Sequence, residues 1–297
     1  MTRLTAPFKR VAPKKNINRG GASGRKRSPF RPSKEQLGTT YAYCFGRARY
    51  RRLNNLLLYL SMRGLGYDNW RDHAISGEAS FLSSFFSGTE NPVVLDVGAY
   101  HGEYARLVRR YSPTAEIYCF EPHPISFRLL QKTAQQCGLT AFQLACGKHS
   151  GPAQLFDTAH ENGSKRASCY RETVEPRVSD ISVHDVEVVT IDEFTAARNI
   201  KEIELIKVDV EGGELEVLHG ASGLIKERRI KALQFEMGDC YPVRRVWMRD
   251  FYDLLKGYAF YRLLPNGLLP LGPYRASTHE WFHFHNVVAW RETAHRS

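Results

Sequence analysis

The sequence lacks long hydrophobic runs and closely paired cysteines. None of its apolar stretches reaches the roughly 18 residues that a membrane-spanning helix needs. Its six cysteines include no C-x-x-C pair, the spacing typical of zinc sites and of thiol–disulfide exchange motifs. A chain of 297 residues can bury a core without covalent cross-links. We therefore expect reduced thiols and a cytoplasmic protein.

Acidic residues are missing from the first 34 positions, where 11 lysines and arginines occur. The rest of the chain carries 42 − 11 = 31 basic and 31 acidic side chains, so the net charge of +11 belongs to this segment. Because the segment also has four prolines and little apolar periodicity, residues 1–40 are predicted to form a disordered basic tail. Such a tail either stays a solvated extension or contacts an anionic surface such as RNA, lipid or an acidic partner.

Beyond the tail, hydrophobic periodicity predicts two regions. Four leucines recur at helical spacing within residues 47–63, and a second short helix is expected at 78–86. Together they predict an N-terminal helical cap over residues 41–90. The four leucines are Leu53, Leu56, Leu57 and Leu60.

From residue 91 to residue 297, short apolar runs alternate with helical segments. This alternation predicts an α/β fold with a doubly wound, mostly parallel sheet and an antiparallel C-terminal hairpin at its edge. The predicted strands are 93–97, 116–120, 141–145, 186–191, 205–210, 230–237, 258–264 and 281–290.

The first predicted strand ends in a glycine-containing turn, DVGAYHG, with Asp96, Gly98 and Gly102. Ligands of such sheets bind beyond the carboxyl ends of the strands, where glycines let the backbone approach closely. The spacing is G-x-x-x-G rather than the G-x-G-x-x-G of a dinucleotide site. A carboxylate at Asp96 would repel a pyrophosphate and attract the ammonium group of a methionine moiety, so the turn favours S-adenosylmethionine over NAD.

Two further strand ends complete the predicted cofactor site. Glu121 closes the second strand, a position from which a carboxylate can accept hydrogen bonds from both ribose hydroxyls. At the third strand, Ala145 and Cys146 offer only backbone polar groups and a thiol, which leaves adenine recognition open.

Six segments, in this order, resemble the FkbM family of S-adenosylmethionine-dependent methyltransferases. They are VVLDVGAYHGEYA, YCFEPHP, VEVVTIDEF, IELIKVDVEGGELEVLHGA, ALQFEMG and HNVVAW. The resemblance implies a class I, Rossmann-like methyltransferase fold and methyl transfer to an oxygen, often a hydroxyl of a sugar or polyketide. By position, it implies cofactor-binding roles for Asp96, Gly98, Ala99, Gly102 and Glu121 and an acidic motif at Asp209 and Glu211. The chain departs from the usual pattern at Gly213, where Ala is common, and in the turn after Ala145.

Methyl transfer to a hydroxyl requires removal of its proton, for which a general base typically contributes about 10²–10⁴-fold. Asp209, Glu211 and Glu236 lie at predicted strand ends and are the candidates. The separation of Asp209 and Glu236, 236 − 209 = 27 residues, also resembles that of the metal-binding carboxylates in catechol-type O-methyltransferases. A divalent ion at this pair and a metal-free base both remain open. Glu214 and Glu216 are expected to face water and to favour the start of a helix.

Acceptor-binding candidates come from two other places. The polar insertion 157–172 contributes Asn162, Ser164 and Ser168, either as a lid over the acceptor or as a disordered loop. His283 and His285 alternate along the last predicted strand, so both would lie on one face.

The sequence therefore predicts an S-adenosylmethionine-dependent O-methyltransferase acting on a sugar, glycan or polyketide-like metabolite. A nucleic-acid methyltransferase anchored by the basic tail is an alternative, although the chain has no Asn/Asp-Pro-Pro-Tyr motif to hold a base. A cofactor-binding scaffold without turnover is the third reading. The oligomeric state is left open.

Overall fold

The computed structural model describes residues 32–159, 163–178 and 180–292. The chain divides into two compact units, Met1–Asn54 and Asn55–Ser297. The predicted tail falls mostly outside the described residues. Its last part, however, is helical from Lys34 because Ser33 and Gln36 form a reciprocal capping box at the helix start.

The helices of the described residues are short, apart from four of 9 to 14 residues. In chain order they are α1 (Lys34–Phe45), α2 (Arg51–Gly64), α3 (His73–Ser76), α4 (Glu78–Phe85), α5 (Glu103–Tyr111), α6 (Pro124–Cys137), α7 (Arg171–Val174), α8 (Ile191–Ala197), α9 (Glu214–His219), α10 (Ser222–Lys226), α11 (Cys240–Arg244), α12 (Met248–Leu254) and α13 (Ala276–His279), with 3-10 turns at Ala48–Tyr50 and Glu175–Arg177. None of these helices has the length and apolar character needed to cross a membrane.

The strands of the described residues form two sheets. In chain order they are β1 (Val93–Val97), β2 (Glu116–Phe120), β3 (Thr140–Phe142), β4 (Ala145–Cys146), β5 (Gly151–Thr158), β6 (Ile181–Val189), β7 (Ile203–Val208), β8 (Ile230–Met237), β9 (Tyr258–Leu264), β10 (Gly267–Pro270) and β11 (His285–Arg291). The large sheet has the order β10-β9-β11-β8-β7-β1-β2-β3, and the small one has the order β4-β6-β5.

The large sheet confirms the predicted α/β architecture. Strands β3, β2, β1, β7 and β8 are parallel neighbours, and two apolar clusters that include helix residues pack against the sheet. Along β1, Val94 packs into one apolar cluster and Leu95 into the other. This two-sided burial explains why the parallel strands read as continuous apolar runs.

The predicted C-terminal hairpin is present, but its position at the sheet edge was wrong. Strand β11 pairs antiparallel with β9 and also with β8, so it lies between them, and β10 forms the edge. Strand β11 is buried from His285 to Ala289, which an edge strand would not require.

The small sheet was not predicted. The expected third strand divides into β3 and β4, which belong to different sheets. No strand was predicted between 146 and 185, but this part of the chain contains β5, which pairs with β6 along its whole length and ends within the first two residues of the predicted insertion 157–172. Both strands are only half buried, so their sequence shows no continuous apolar run.

The leucines of α2 do not pack as predicted for a helical cap. All four are between 41% and 55% exposed, and Met62 is the buried residue of the helix.

Candidate active site

A large cavity of about 1540 Å³ opens beyond the carboxyl ends of β1, β2, β7 and β8. It exceeds the roughly 300–1000 Å³ of most small-molecule pockets, so it has room for two ligands. Eight residues predicted for the cofactor site or the chemistry line its wall. They are Gly98, Ala99, Glu121, Ala145, Cys146, Asp209, Glu211 and Glu236.

The glycines of the first turn are required by the packing of the turn itself. Gly98 has φ of +77°, and a Cβ there would lie 1.8 Å from the carbonyl oxygen of Asp209. Gly102 has φ of +82°, and its Cβ would lie 2.8 Å from the Thr133 side chain. The amides of Gly98 and Ala99 both donate to the carbonyl of Phe120, at 3.0 and 2.9 Å. The turn after β1 is therefore fixed against the ends of β2 and β7 before any ligand binds.

Glu121 is held rigidly at the cavity wall. Its Oε2 accepts a hydrogen bond from the Tyr100 amide at 2.9 Å, and its Oε1 accepts one from the His123 amide at 2.8 Å. Burial raises the pKa of Glu121 to about 7, although these two hydrogen bonds oppose the shift. Each carboxylate oxygen can still accept a further hydrogen bond. This geometry fits a pair of ribose hydroxyls.

Asp96 lies in β1, as predicted, but its side chain does not face the cavity. It is completely buried and is not part of the cavity wall. Neither carboxylate oxygen has a hydrogen bond of normal geometry, and the nearest side-chain cation is Lys207, whose Nζ lies 3.9 Å from Oδ1. Burial raises the pKa of Asp96 to about 6, with Lys207 opposing. A role in meeting a methionine ammonium directly does not fit this arrangement.

Lys207 is the main site residue that sequence reasoning missed. It lies in β7 beside Asp96, lines the cavity and donates from Nζ to Asp209 Oδ2 at 2.8 Å. Burial lowers the pKa of Lys207, but the Asp209 and Asp96 carboxylates raise it more, so the ammonium form dominates. The signal was available, because a lysine inside an apolar strand needs an anionic partner.

The turn after β7 presents Glu211 to the cavity in a left-handed backbone conformation with φ of +55°. Arg177 Nη1 contacts its Oε2 at 3.1 Å, and the Ser168 hydroxyl donates to its backbone carbonyl at 2.9 Å. Burial and the Asp209 charge raise the pKa of Glu211 to about 7, with Arg177 opposing. A carboxylate with this pKa changes protonation state near neutral pH.

Glu236, in β8, lines the same cavity. Burial, followed by the charges of Asp209 and Glu211, raises the pKa of Glu236 well above its usual value. The carboxyl group is therefore protonated more readily than an ordinary glutamate, and in that form it can donate a hydrogen bond. The three predicted catalytic acids thus line one cavity together.

Glu214 was expected to face water, and that expectation was wrong. The side chain is buried, with Oε1 accepting from the Val210 amide at 2.9 Å and Oε2 from the Gly212 amide at 3.0 Å. The Tyr241 hydroxyl donates to Oε2 at 2.8 Å. Glu214 therefore stabilises the turn between β7 and α9 by accepting hydrogen bonds from two of its backbone amides. Glu216 is half-buried at the cavity wall.

The predicted acceptor residues of the insertion separate into three cases. Ser164 lines the cavity, but its amide donates to Asp157 Oδ2 at 2.9 Å and its hydroxyl donates to Oδ1. Ser168 is buried and is not part of the cavity wall. Asn162 lies outside the described residues.

The two histidines predicted on one strand face are not equivalent. His283 precedes β11, lines the cavity and lies 3.1 Å from Asp68 Oδ2 through Nδ1. His285 is buried, is not part of the cavity wall, and has its pKa lowered by burial to about 3. Only His283 can reach a ligand of the cavity.

A metal site at Asp209 and Glu236 gains no support from the geometry. Within residues 32–159, 163–178 and 180–292, no three His, Cys, Asp or Glu side chains are grouped so that they could hold an ion.

A mostly parallel sheet with antiparallel strands near one end, and a ligand cavity at the carboxyl ends of its strands, define a class I methyltransferase. The chain belongs to the FkbM methyltransferase family, since residues 96–255 match the domain described as "Methyltransferase FkbM domain". It is thus an S-adenosylmethionine-dependent methyltransferase.

Three curated relatives show the range of similarity. The "2-O-methyltransferase NoeI" of Sinorhizobium fredii is 22% identical over 188 residues, which is 60% of this chain and 76% of that protein. The "Methyltransferase sdnD" of Sordaria araneosa is 28% identical over 44% of this chain and 60% of its own length. The "Hexuronic acid methyltransferase AglP" of Haloferax volcanii is 25% identical over 57% of this chain and 66% of its own length. The chain thus covers less than two thirds of the last two relatives.

Proposed function

We propose that this enzyme transfers the methyl group of S-adenosylmethionine to a hydroxyl oxygen of a sugar or a similarly polyhydroxylated acceptor. Two relatives carry names that specify 2-O-methylation and a hexuronic acid, which supports this acceptor class. The cavity is large enough for the cofactor and an acceptor of this size together.

The cofactor-binding part of the proposal rests on the wall formed by the first two strand ends. Glu121 would accept hydrogen bonds from the ribose hydroxyls, and Gly98 and Ala99 would form the surface against which the cofactor lies. Ala145 and Cys146 would border the adenine, where burial raises the pKa of the Cys146 thiol and keeps it neutral. When bound, S-adenosylmethionine supplies a methyl group on a positively charged sulfur, and that bond breaks as the new carbon–oxygen bond forms.

Glu211 is the proposed general base, and its pKa of about 7 at the cavity wall is the observation that carries the mechanism. A base whose pKa lies near the working pH is both deprotonated and able to take a proton. Glu211 would take the acceptor's hydroxyl proton as the oxygen attacks the methyl group. Glu236, whose pKa is raised, would in its protonated form donate a hydrogen bond that orients the acceptor. Asp209 is already paired with Lys207 and serves to fix this cation.

The test is methyl transfer from radiolabelled S-adenosylmethionine to hexoses, hexuronic acids and short RNA, with cofactor binding measured by calorimetry. We expect product with a sugar acceptor and at least about tenfold weaker cofactor binding in Glu121→Gln, because each hydrogen bond to a charged group contributes about 1.5–3 kcal/mol. Glu216→Gln, at the same wall, is the matched control. If RNA were the only acceptor methylated, the proposal of a sugar acceptor would be wrong. Unchanged cofactor binding in Glu121→Gln would refute the contact between Glu121 and the ribose.

A further inference from the structure

The outward-facing leucines of α2 form an apolar surface that the fold does not use. We define the leucine stripe as Leu56, Leu57 and Leu60, which are 52%, 42% and 55% exposed. At about 100° per residue, the buried Met62 lies roughly on the opposite side of the helix from the stripe. Met62 is the buried residue of α2, and the three leucines on the opposite side of the helix are exposed.

The positive charge of the chain is concentrated in the sequence up to the end of this helix. Residues 1–63 contain 16 lysines and arginines and a single acidic residue, Glu35. Residues 64–297 carry the other 42 − 16 = 26 basic and 31 − 1 = 30 acidic side chains. The stripe therefore belongs to a strongly cationic stretch of the sequence, whereas residues 64–297 have a slight negative charge.

We propose that the leucine stripe docks on the surface of an anionic lipid membrane, with the leucines at the boundary between headgroups and acyl chains. Helices of this kind lie in the interface plane, and the attraction of nearby lysines and arginines to anionic lipids adds to the burial of the apolar face. A second copy of this chain fits the stripe less well, because it would bring two strongly cationic segments together. The proposal is independent of the acceptor and of the catalytic residues.

The test is co-flotation of the full-length protein with vesicles of equal parts phosphatidylcholine and phosphatidylglycerol, against vesicles of phosphatidylcholine alone. We expect binding to the anionic vesicles that weakens with added salt. The variant Leu56→Gln/Leu57→Gln/Leu60→Gln is expected to lose at least roughly tenfold in vesicle affinity. Glutamine keeps a good helix propensity, so the helix persists.

The matched control replaces three exposed apolar residues outside the stripe, as Leu58→Gln/Tyr59→Gln/Leu65→Gln, and should bind anionic vesicles like the wild type. Unchanged cofactor binding shows that each variant is folded. The proposal is overturned if the protein does not bind anionic vesicles or if it binds neutral vesicles equally well. It is also overturned if both triple variants weaken vesicle binding equally. Light scattering that shows a dimer dissociated by the stripe variant would instead assign the stripe to a subunit interface.

Discussion

Replacing Glu211 by glutamine should slow methyl transfer while stabilising the fold above neutral pH. The pKa of Glu211 rises from 4.5 to about 7 on folding. Since its folded pKa is raised, the group contributes stability that is present below pH 4.5 and is lost as the pH rises through about 7. At 1.36 kcal/mol per pKa unit, ionised Glu211 costs the folded state at most about 3 kcal/mol at high pH.

Glutamine removes this cost, and its side-chain oxygen can still accept a hydrogen bond from Arg177. The backbone conformation with φ of +55° stays the same in both proteins, so it does not enter the difference. We therefore expect the variant to exceed the wild type in free energy of unfolding by about 1–3 kcal/mol at pH 8.5 and to match it near pH 4.5. Urea denaturation at both pH values measures this.

The same variant should lose about 10²–10⁴-fold in kcat, because it has no base to take the hydroxyl proton. The wild-type rate should rise with pH up to about pH 7 and then level off, whereas the variant should show no such rise. Glu216→Gln removes a charge from the neighbouring helix and should change neither profile. A Glu211→Gln variant with wild-type kcat and an unchanged pH profile would refute the assignment of the base.

Three further predictions concern how the site is built. Lys207→Met should destabilise the fold by about 3–5 kcal/mol, because it leaves the Asp96 carboxylate buried without its cation, and Lys207→Met/Asp96→Asn should recover part of that loss in urea denaturation. Glu214→Ala should cost about 3 kcal/mol or more, since the amides that close the acidic turn lose their acceptor; a smaller loss than that of Glu216→Ala would contradict the role. Gly98→Ala should reduce both the melting temperature and cofactor affinity, because its Cβ would collide with the Asp209 carbonyl; a variant that melts and binds like the wild type would show that the two turns can separate.

Local sequence patterns were sufficient for most of the sheet. The strands Val93–Val97, Glu116–Phe120 and Ile230–Met237 match their predicted limits because each is a short apolar run buried on both faces. The half-buried β5 and β6 were missed or shortened, since alternating polar residues resemble a polar loop. The position of β11 between β9 and β8 was also not predicted, because pairing between strands that are distant in sequence leaves no local pattern.

In the candidate site, too, some features were predicted from local sequence and others were not. Glu121 and Glu211 were predicted at the cavity because strand ends of a parallel sheet meet on one edge. Asp96 and Glu214 were assigned the wrong surroundings, although both were correctly placed on their strand and helix. A residue's position along an element is encoded locally, whereas its burial depends on neighbours contributed by other elements.

The sequence by itself determined the α/β fold, the family and the edge of the sheet at which ligands bind, because periodicity and strand-end motifs are local properties. Only the tertiary structure decided that Lys207 neutralises Asp96, that Glu211 changes protonation near pH 7 and that the α2 leucines face outward. Those properties depend on distances and burial between segments far apart in the chain, which spacing along the sequence does not record.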